Sequence, residues 1–328
     1  MAHTRPSIAA VVVTHNRLDK LTVTVARLLD QPVDHVIVVD NASTDGTADW
    51  LSALDDPRLR VHRSATNQGG AGGFSVGMQL ARDEAQADWT VVMDDDGRPA
   101  PGAIDAFRAM DLSEWDAIGA AVHHPDGRIC EMNRPYRNPF WNPGAFLRTL
   151  ARMPLGRGRA GFHLGDGDYR TGSPVLPVDM SSFVGLFLSR AALQRAGLPD
   201  PRLFIYGDDQ LYTLQMRRAG LRIGFAPQVR FDHDTTALQA QGGVVLRPMW
   251  KVFYMYRNAL MAYRVAAGPW FWPLVPVLLR KWRRKAGDYG PDAALFRTIL
   301  DQAVRDGLAG RLDRSHDDIL RLSRSDAP

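Results

Sequence analysis

Along the first hundred residues, apolar and polar positions switch repeatedly between two periods. Residues 8–13 form a β-branched run with little alternation, the pattern of a strand buried on both faces. Leu18–Leu29 has its apolar positions at helical spacing. Residues 36–39 are a second buried strand, ending at Asp40-Asn41. Thr44-Asp45-Gly46-Thr47 reads as a turn opening a helix over 48–54, and residues 59–62 as a third strand. A helix follows over 73–85 and a fourth strand over 89–93. This alternation predicts an α/β fold with an open, mostly parallel sheet flanked by helices on both faces. Ligands of such sheets bind at the carboxyl ends of the strands. Thr14, Asn16, Asp40, Asn67 and Asp94 fall at or just past those ends.

From about residue 117 the pattern loosens. Residues 134–170, rich in Pro, Gly, Arg and aromatics, predict a long irregular loop. A strand over 178–188, a short helix over 191–196, a helix over 208–219 and a strand over 223–226 complete the sheet region. Near Met249 the composition shifts to Trp, Tyr, Arg and Pro, which divides a sheet domain, residues 1–248, from a helical, amphipathic region, 249–328. Residues 265–279 are wholly apolar but contain Pro269, Pro273 and Pro276, too short and broken a stretch to cross a bilayer.

Composition adds where the charge lies. The 328 residues are 45% hydrophobic and 23% charged, which supports a sizeable core. Net charge is +4, and Arg280-Lys281-Trp282-Arg283-Arg284-Lys285 holds five basic residues in six. A Trp-rich apolar stretch leading into such a cluster suits an anionic membrane surface, with core packing or a dimer contact as the competing reading. Self-association stays open. Nucleic acid is not an expected partner, because the basic cluster is single and follows an apolar segment. One cysteine, Cys130, excludes an internal disulfide and a cysteine-based zinc site, and fits a reducing compartment. The start Met1-Ala2-His3-Thr4-Arg5-Pro6 has no signal-peptide pattern. The expected location is cytoplasmic, peripheral on the inner face of the cytoplasmic membrane.

Four motifs carry candidate chemistry. Val91-Val92-Met93-Asp94-Asp95-Asp96 delivers adjacent carboxylates to a sheet edge. Their repulsion calls for a cation, and Mg²⁺ or Mn²⁺ with a diphosphate is the natural partner. A solvated acidic turn is the plainer alternative. Asn67-Gln68-Gly69-Gly70-Ala71-Gly72-Gly73-Phe74 sets four glycines before a helix, where backbone can approach phosphate. A flexible turn has the same look. Tyr206-Gly207-Asp208-Asp209-Gln210 opens a helix with acids, either as caps or with one carboxylate acting as a general base. In Phe231-Asp232-His233-Asp234-Thr235 the histidine is a metal ligand or an ordinary surface residue, and the residues alone leave both open.

Together these motifs resemble the GT-A family of inverting glycosyltransferases numbered family 2, over roughly residues 7–260. Val11-Val12-Val13-Thr14-His15-Asn16-Arg17 looks like its first-strand motif, and the stretch from Val38 to Thr47 like its second. The resemblance implies a GT-A, Rossmann-like fold, with Thr14 and Arg17 near a nucleotide and Asp40 on its uracil or ribose. It implies that Asp94 and Asp96 serve the metal and that Asp209 is the base. The familiar Glu-Asp is here Asp-Asp, which leaves Asp208 as a second candidate. A narrower resemblance, to bacterial galactofuranosyltransferases, rests on the stretch from Asn67 to Phe74, the triple aspartate and a downstream histidine. It implies UDP-galactofuranose as donor, a glycan or lipid-linked glycan as acceptor, and His233 on the metal. Gly69, Gly70, Gly72 and Gly73 would then line the donor, and Asp95 would touch its sugar or ribose. Rhamnosyltransferases using dTDP-rhamnose share much of the pattern. A non-catalytic sugar-nucleotide-binding protein is disfavoured, because it would have no need of Asp94, Asp96, Asp209 and His233 together. A nucleotidyltransferase would want more cations near the first strand than Arg17.

Overall fold

The protein is described by a computed structural model over residues 5–235 and 245–324. Residues 1–4, which belong to the N-terminal stretch read for a targeting signal, lie outside the described residues. Strands β1 (Ile8–Thr14), β2 (His35–Asp40), β3 (Leu59–Arg63) and β4 (Trp89–Asp94) pair in parallel in the order β3-β2-β1-β4. Helices α1 (Leu18–Leu29), α2 (Thr47–Ser52) and α3 (Gly69–Asp83) make the crossovers. β1 shows why its sequence does not alternate. Ile8, Ala10 and Val12 pack with Leu21, Val25 and Leu28 of α1 on one face. Ala9, Val11 and Val13 pack with Phe74 and Met78 of α3 on the other. A strand covered on both sides needs apolar residues at every position.

Beyond β4 the sheet turns mixed, where the sequence predicted only less regularity. β5 (Gly97–Pro99), α4 (Ala103–Arg108), β6 (Ala117–His123), β7 (Leu176–Val178), β8 (Leu186–Ser189), α6 (Arg190–Ala196), α7 (Asp208–Arg218) and β9 (Ile223–His233) follow in the chain. β8 lies antiparallel between β4 and β6, and β9 runs parallel to β6. The predicted strand over 178–188 is split, because residues 179–185 leave the sheet between β7 and β8. β9 is longer than its apolar part suggested and carries a register shift opposite Ala120/Ala121. The irregular excursion over 134–170 contains one helix, α5 (Pro143–Arg152), among short 3₁₀ turns.

The C-terminal region is helical: α8 (Trp250–Ala267), α9 (Phe271–Arg284), α10 (Ala293–Ala309) and α11 (His316–Leu322). Its aromatic core joins Phe253, Phe271 and Phe296 to Phe204, which belongs to the loop before α7. α9 forms despite its prolines. Pro273 sits in the first turn, where no intrahelical N–H bond is lost, and Pro276 lies inside the helix. No described helix is long and apolar enough to cross a membrane.

Candidate active site

The parallel register brings the carboxyl ends together. Thr14 pairs with Asp40, and Val13 with Asp94. Two carboxylates, Asp95 and Asp96, are then turned inward and nearly closed to solvent. Arg17, just before α1, bridges them, with Nη1 3.0 Å from Asp95 Oδ1 and Nη2 2.7 Å from Asp96 Oδ2. The Thr14 hydroxyl donates to Asp95 Oδ2 at 2.8 Å, and the Thr24 hydroxyl to the Asp95 carbonyl at 2.6 Å. β9 returns antiparallel to β5 with His233 opposite Gly97, one residue beyond the acid run. His233 Nε2 therefore lies 3.2 Å from Asp96 Oδ1. Its Nδ1 lies 2.7 Å from the side-chain oxygen of Asn133. An amide oxygen only accepts, so Nδ1 carries a proton and Nε2 faces the acids.

The charges are only partly balanced. Burial pushes Asp94 up to about 6, with Asp96 adding to the rise and His233 and Arg17 opposing it. Burial carries Asp95 to about 7 in spite of Arg17. Asp96 stands below the ordinary carboxylate value, because His233 and Arg17 outweigh its burial. Burial also works against the His233 cation, but Asp96 prevails and raises it to about 10. Among the described residues no three His, Cys, Asp or Glu side chains form a ready-made cage for a cation. The donors fit one that is completed by a ligand. Two ligands about 2.1 Å from one ion, at right angles, lie about 3 Å apart, close to the Asp96–His233 separation. Mg²⁺ and Mn²⁺ take few protein carboxylates and fill the remaining positions with phosphate and water.

On the other flank, Asp40 is fully buried. Its Oδ1 accepts from Ser43 N at 2.9 Å, while Oδ2 has no hydrogen-bond partner and lies 3.6 Å from Arg63 Nε. Asn41 donates to the Gly69 carbonyl and accepts from Gln68 N, and Asn67 accepts from Gly69 N, which locks the glycine segment to β2. That segment differs from the predicted loop, since α3 begins at Gly69 and the glycines are its first turns. Three of them are also required by packing. A Cβ on Gly73 would collide with Val13, one on Gly72 with Gln68, and one on Gly69 with the Phe204 carbonyl; Gly70 alone is nearly open. Gly73 thus lets the helix pack close on β1, and Gly70 leaves free space at the helix start.

Asp208 and Asp209 open α7 after Gly207, whose φ of +72° suits glycine. Asp208 is buried and Asp209 half-buried. Burial, then Asp209, holds Asp208 well above the carboxylate range. Burial raises Asp209 to about 6 against the amide of Gln210, which donates to its Oδ1 at 2.6 Å. Asp94 feels the charge of Asp209, and Asp208 that of Asp94, so the two acidic motifs lie within electrostatic reach of each other. Gln210 donates to the Tyr136 hydroxyl at 2.8 Å, which sets the 134–170 excursion beside the α7 start.

Sequence reasoning missed Asn133, which has no motif and arrives from a 3₁₀ turn a hundred residues from His233. It also missed Lys251 at the start of α8, close enough to Arg17 for the two charges to act on each other. Asp234 accepts from Lys20 at 2.9 Å, a further tie between β9 and α1.

The profile "Glycosyl transferase family 2" matches residues 9–161. Galactofuranosyltransferase GlfT1 of Mycolicibacterium smegmatis is 31% identical over 240 residues, 71% of this chain and 72% of that protein. The undecaprenyl-phosphate mannosyltransferase of Micrococcus luteus is 34% identical over 245 residues, 73% of this chain and 89% of that protein. Among solved structures, mannosyltransferase PcManGT from Pyrobaculum calidifontis, in complex with GDP-Man and Mn²⁺, superposes with a TM-score of 0.53 at 16% identity. That match covers 93% of this chain and 88% of the other, a likeness of fold.

Proposed function

We propose, from the premise that this chain belongs to glycosyl transferase family 2, that it transfers galactofuranose from UDP-galactofuranose to a hydroxyl of a glycan or lipid-linked glycan, inverting the anomeric carbon. Membership makes it a glycosyltransferase. The observation that supports the mechanism is that Asp94, beside Asp96 in one acidic run, lies within electrostatic reach of Asp208 and Asp209 in the other. One side suits a charged diphosphate and the other suits proton removal. The galactofuranose donor is supported by the similarity to GlfT1 and by the stretch from Asn67 to Phe74.

In this reading Asp40 Oδ2, which makes no hydrogen bond and only a long ion pair to Arg63, receives uracil or ribose, with Thr14 and Arg17 beside the nucleotide. The diphosphate lies towards the α3 N-terminus, where the helix dipole favours anions and Gly70 leaves room for it. Asp94, Asp96 and His233 would hold Mn²⁺ or Mg²⁺, which when bound supplies counter-charge to the departing UDP. Asp95, engaged by Thr14 and Arg17, keeps these two in place beside the ribose. Asp209 takes the proton of the acceptor hydroxyl, whose oxygen attacks the anomeric carbon from the face opposite UDP. The bond from that carbon to the diphosphate oxygen breaks and UDP leaves with the electron pair. Asp208, more deeply buried and with its pKa held well up by burial and by Asp209, is the weaker candidate for the base.

The chemistry is assigned to residues 1–248 and membrane docking to 249–328. α9 and its approach expose Trp270, Trp272 and Val277, followed by Arg280, Lys281, Arg283 and Arg284. Apolar residues leading into cations suit the anionic inner face of the cytoplasmic membrane, where a lipid-linked acceptor would lie. Failure of the chain to sediment with anionic liposomes at low salt would remove this part. The donor is tested by offering UDP-galactofuranose, dTDP-rhamnose and GDP-mannose with a lipid-linked glycan and Mn²⁺. Consumption of UDP-galactofuranose is expected. Consumption of dTDP-rhamnose alone would make the protein a rhamnosyltransferase, and binding without turnover of any donor would make it a sugar-nucleotide-binding protein.

A further inference from the structure

The loop that presents α7 is held in an unfavourable conformation. Phe204 has φ +65° and ψ −64°, and Ile205 N donates to the Leu203 carbonyl at 2.8 Å. This is a γ-turn with positive φ, a rare and strained form for a residue with a side chain. Tyr206 also has positive φ, +66°, and Gly207 follows at +72°. Two residues later stands Asp209. Such a loop persists only where its surroundings over-determine it.

The surroundings come from α8. Arg257 is fully buried, with its guanidinium near the rings of Tyr254 (5.0 Å) and Phe253 (5.3 Å). It makes no ion pair among the described residues. Its Nη2 donates to the carbonyls of Arg202 (2.9 Å) and Leu203 (3.2 Å), and its Nε to Asn258 Oδ1 (2.9 Å). That last bond fixes which way the Asn258 amide points. Asn258 Nδ2 then sits 3.0 Å from the Leu203 carbonyl, 3.0 Å from that of Ile205 and 2.8 Å from that of Tyr206, its two hydrogens shared among three acceptors. The remaining carbonyl, of Phe204, accepts from Ala71 N at 3.1 Å, in the first turn of α3. The Phe204 ring stacks against His316 of α11 at 4.2 Å. Every carbonyl from 202 to 206 is thus captured.

We infer that Arg257 and Asn258 are positioning residues for Asp209. The pair clamps the 202–206 loop, sets where α7 begins, and so fixes the reach of the Asp209 carboxylate. Through the Ala71–Phe204 bond, the same loop also ties the α3 start to the base. The inference rests on Asp209 as the general base. It gives part of the 249–328 region a role in the chemistry as well as in docking. A misplacement of about 1 Å at a reacting group costs on the order of a hundredfold in rate.

The test compares N258A, R257K and a control, I299V, a core substitution that leaves the hydrogen bonds to the 202–206 carbonyls in place. N258A is expected to lower kcat about a hundredfold, with donor KM and UDP affinity within threefold of wild type. R257K keeps the charge but loses the fork that orients Asn258, and is expected to fall about tenfold; it carries the test if N258A does not fold. I299V should keep wild-type kcat. Hydrogen exchange at Ile205 and Ala71 should quicken in N258A and stay unchanged in D209N. Wild-type kcat in N258A, or an equal fall in I299V, would overturn the clamp. D209N transferring at the wild-type rate would remove the base from Asp209, and the exchange at Ile205 and Ala71 would then decide the clamp by itself.

Discussion

Asp94-Asp95-Asp96 and Asp208-Asp209 are both runs of adjacent carboxylates at the same sheet edge, yet their partners differ in kind. The first run is met by cations. Arg17 reaches Asp95 and Asp96, and His233 reaches Asp96. The second run makes no ion pair among the described residues and is answered by backbone amides. The result is a division of labour. Asp96 is held ionised below the carboxylate range, as a cation ligand should be. Asp209 is raised to about 6, near the pH at which a general base works best. Through their neighbours two similar strings of letters come to hold protons differently, as the proposed charge-binding and proton-accepting roles require.

The comparison breaks most directly at Asp209. Asp209→Asn should lower kcat about a thousandfold, within the range of general-base effects, while UDP affinity stays unchanged. The same substitution should raise Tm at neutral pH, because burial opposes the carboxylate that it removes. Lost transfer together with a lower Tm would point to damage to the fold. Next comes the imidazole. His233→Ala should weaken Mn²⁺-dependent UDP binding about a hundredfold, and Asn133→Ala about tenfold, since partners that orient a ligating histidine matter nearly as much as the ligand. Calorimetry with and without Mn²⁺ measures both, and equal UDP binding in the presence and absence of metal would exclude the cation from this side. The smallest effect is a titration. Asp209 must be ionised to act, so kcat should fall as pH drops through about 6, roughly tenfold at one unit below. Stability runs the opposite way. A carboxyl raised above its ordinary 3.8 stabilises the fold while it is protonated, and that contribution is lost as pH rises through about 6. A flat profile between pH 5 and 7 would place the base elsewhere.

Much of this was legible in the letters. The parallel half follows from runs without alternation, such as β1, and from helical spacing, as in α1, whose bounds agree with the reading. The triple aspartate announces itself because an apolar strand ends in like charges. The glycine segment was seen, but read as a loop before the helix rather than as its first turns. Four glycines weigh against a helix by propensity, yet tertiary contact with Val13 and with the Phe204 loop makes small residues a requirement there.

By itself, then, the sequence determined the alternating strand–helix layout and the residue types gathered at one sheet edge, because periodicity and motif are local properties of a chain. Only the tertiary structure decided which of them meet. The antiparallel β5–β9 register carries His233 to Asp96. A 3₁₀ turn carries Asn133 to His233. A C-terminal helix carries Arg257 and Asn258 to the strained loop before Asp209. These approaches span between about fifty and a hundred and forty residues of chain, and no local pattern encodes them. The close packing of strands and helices selects them.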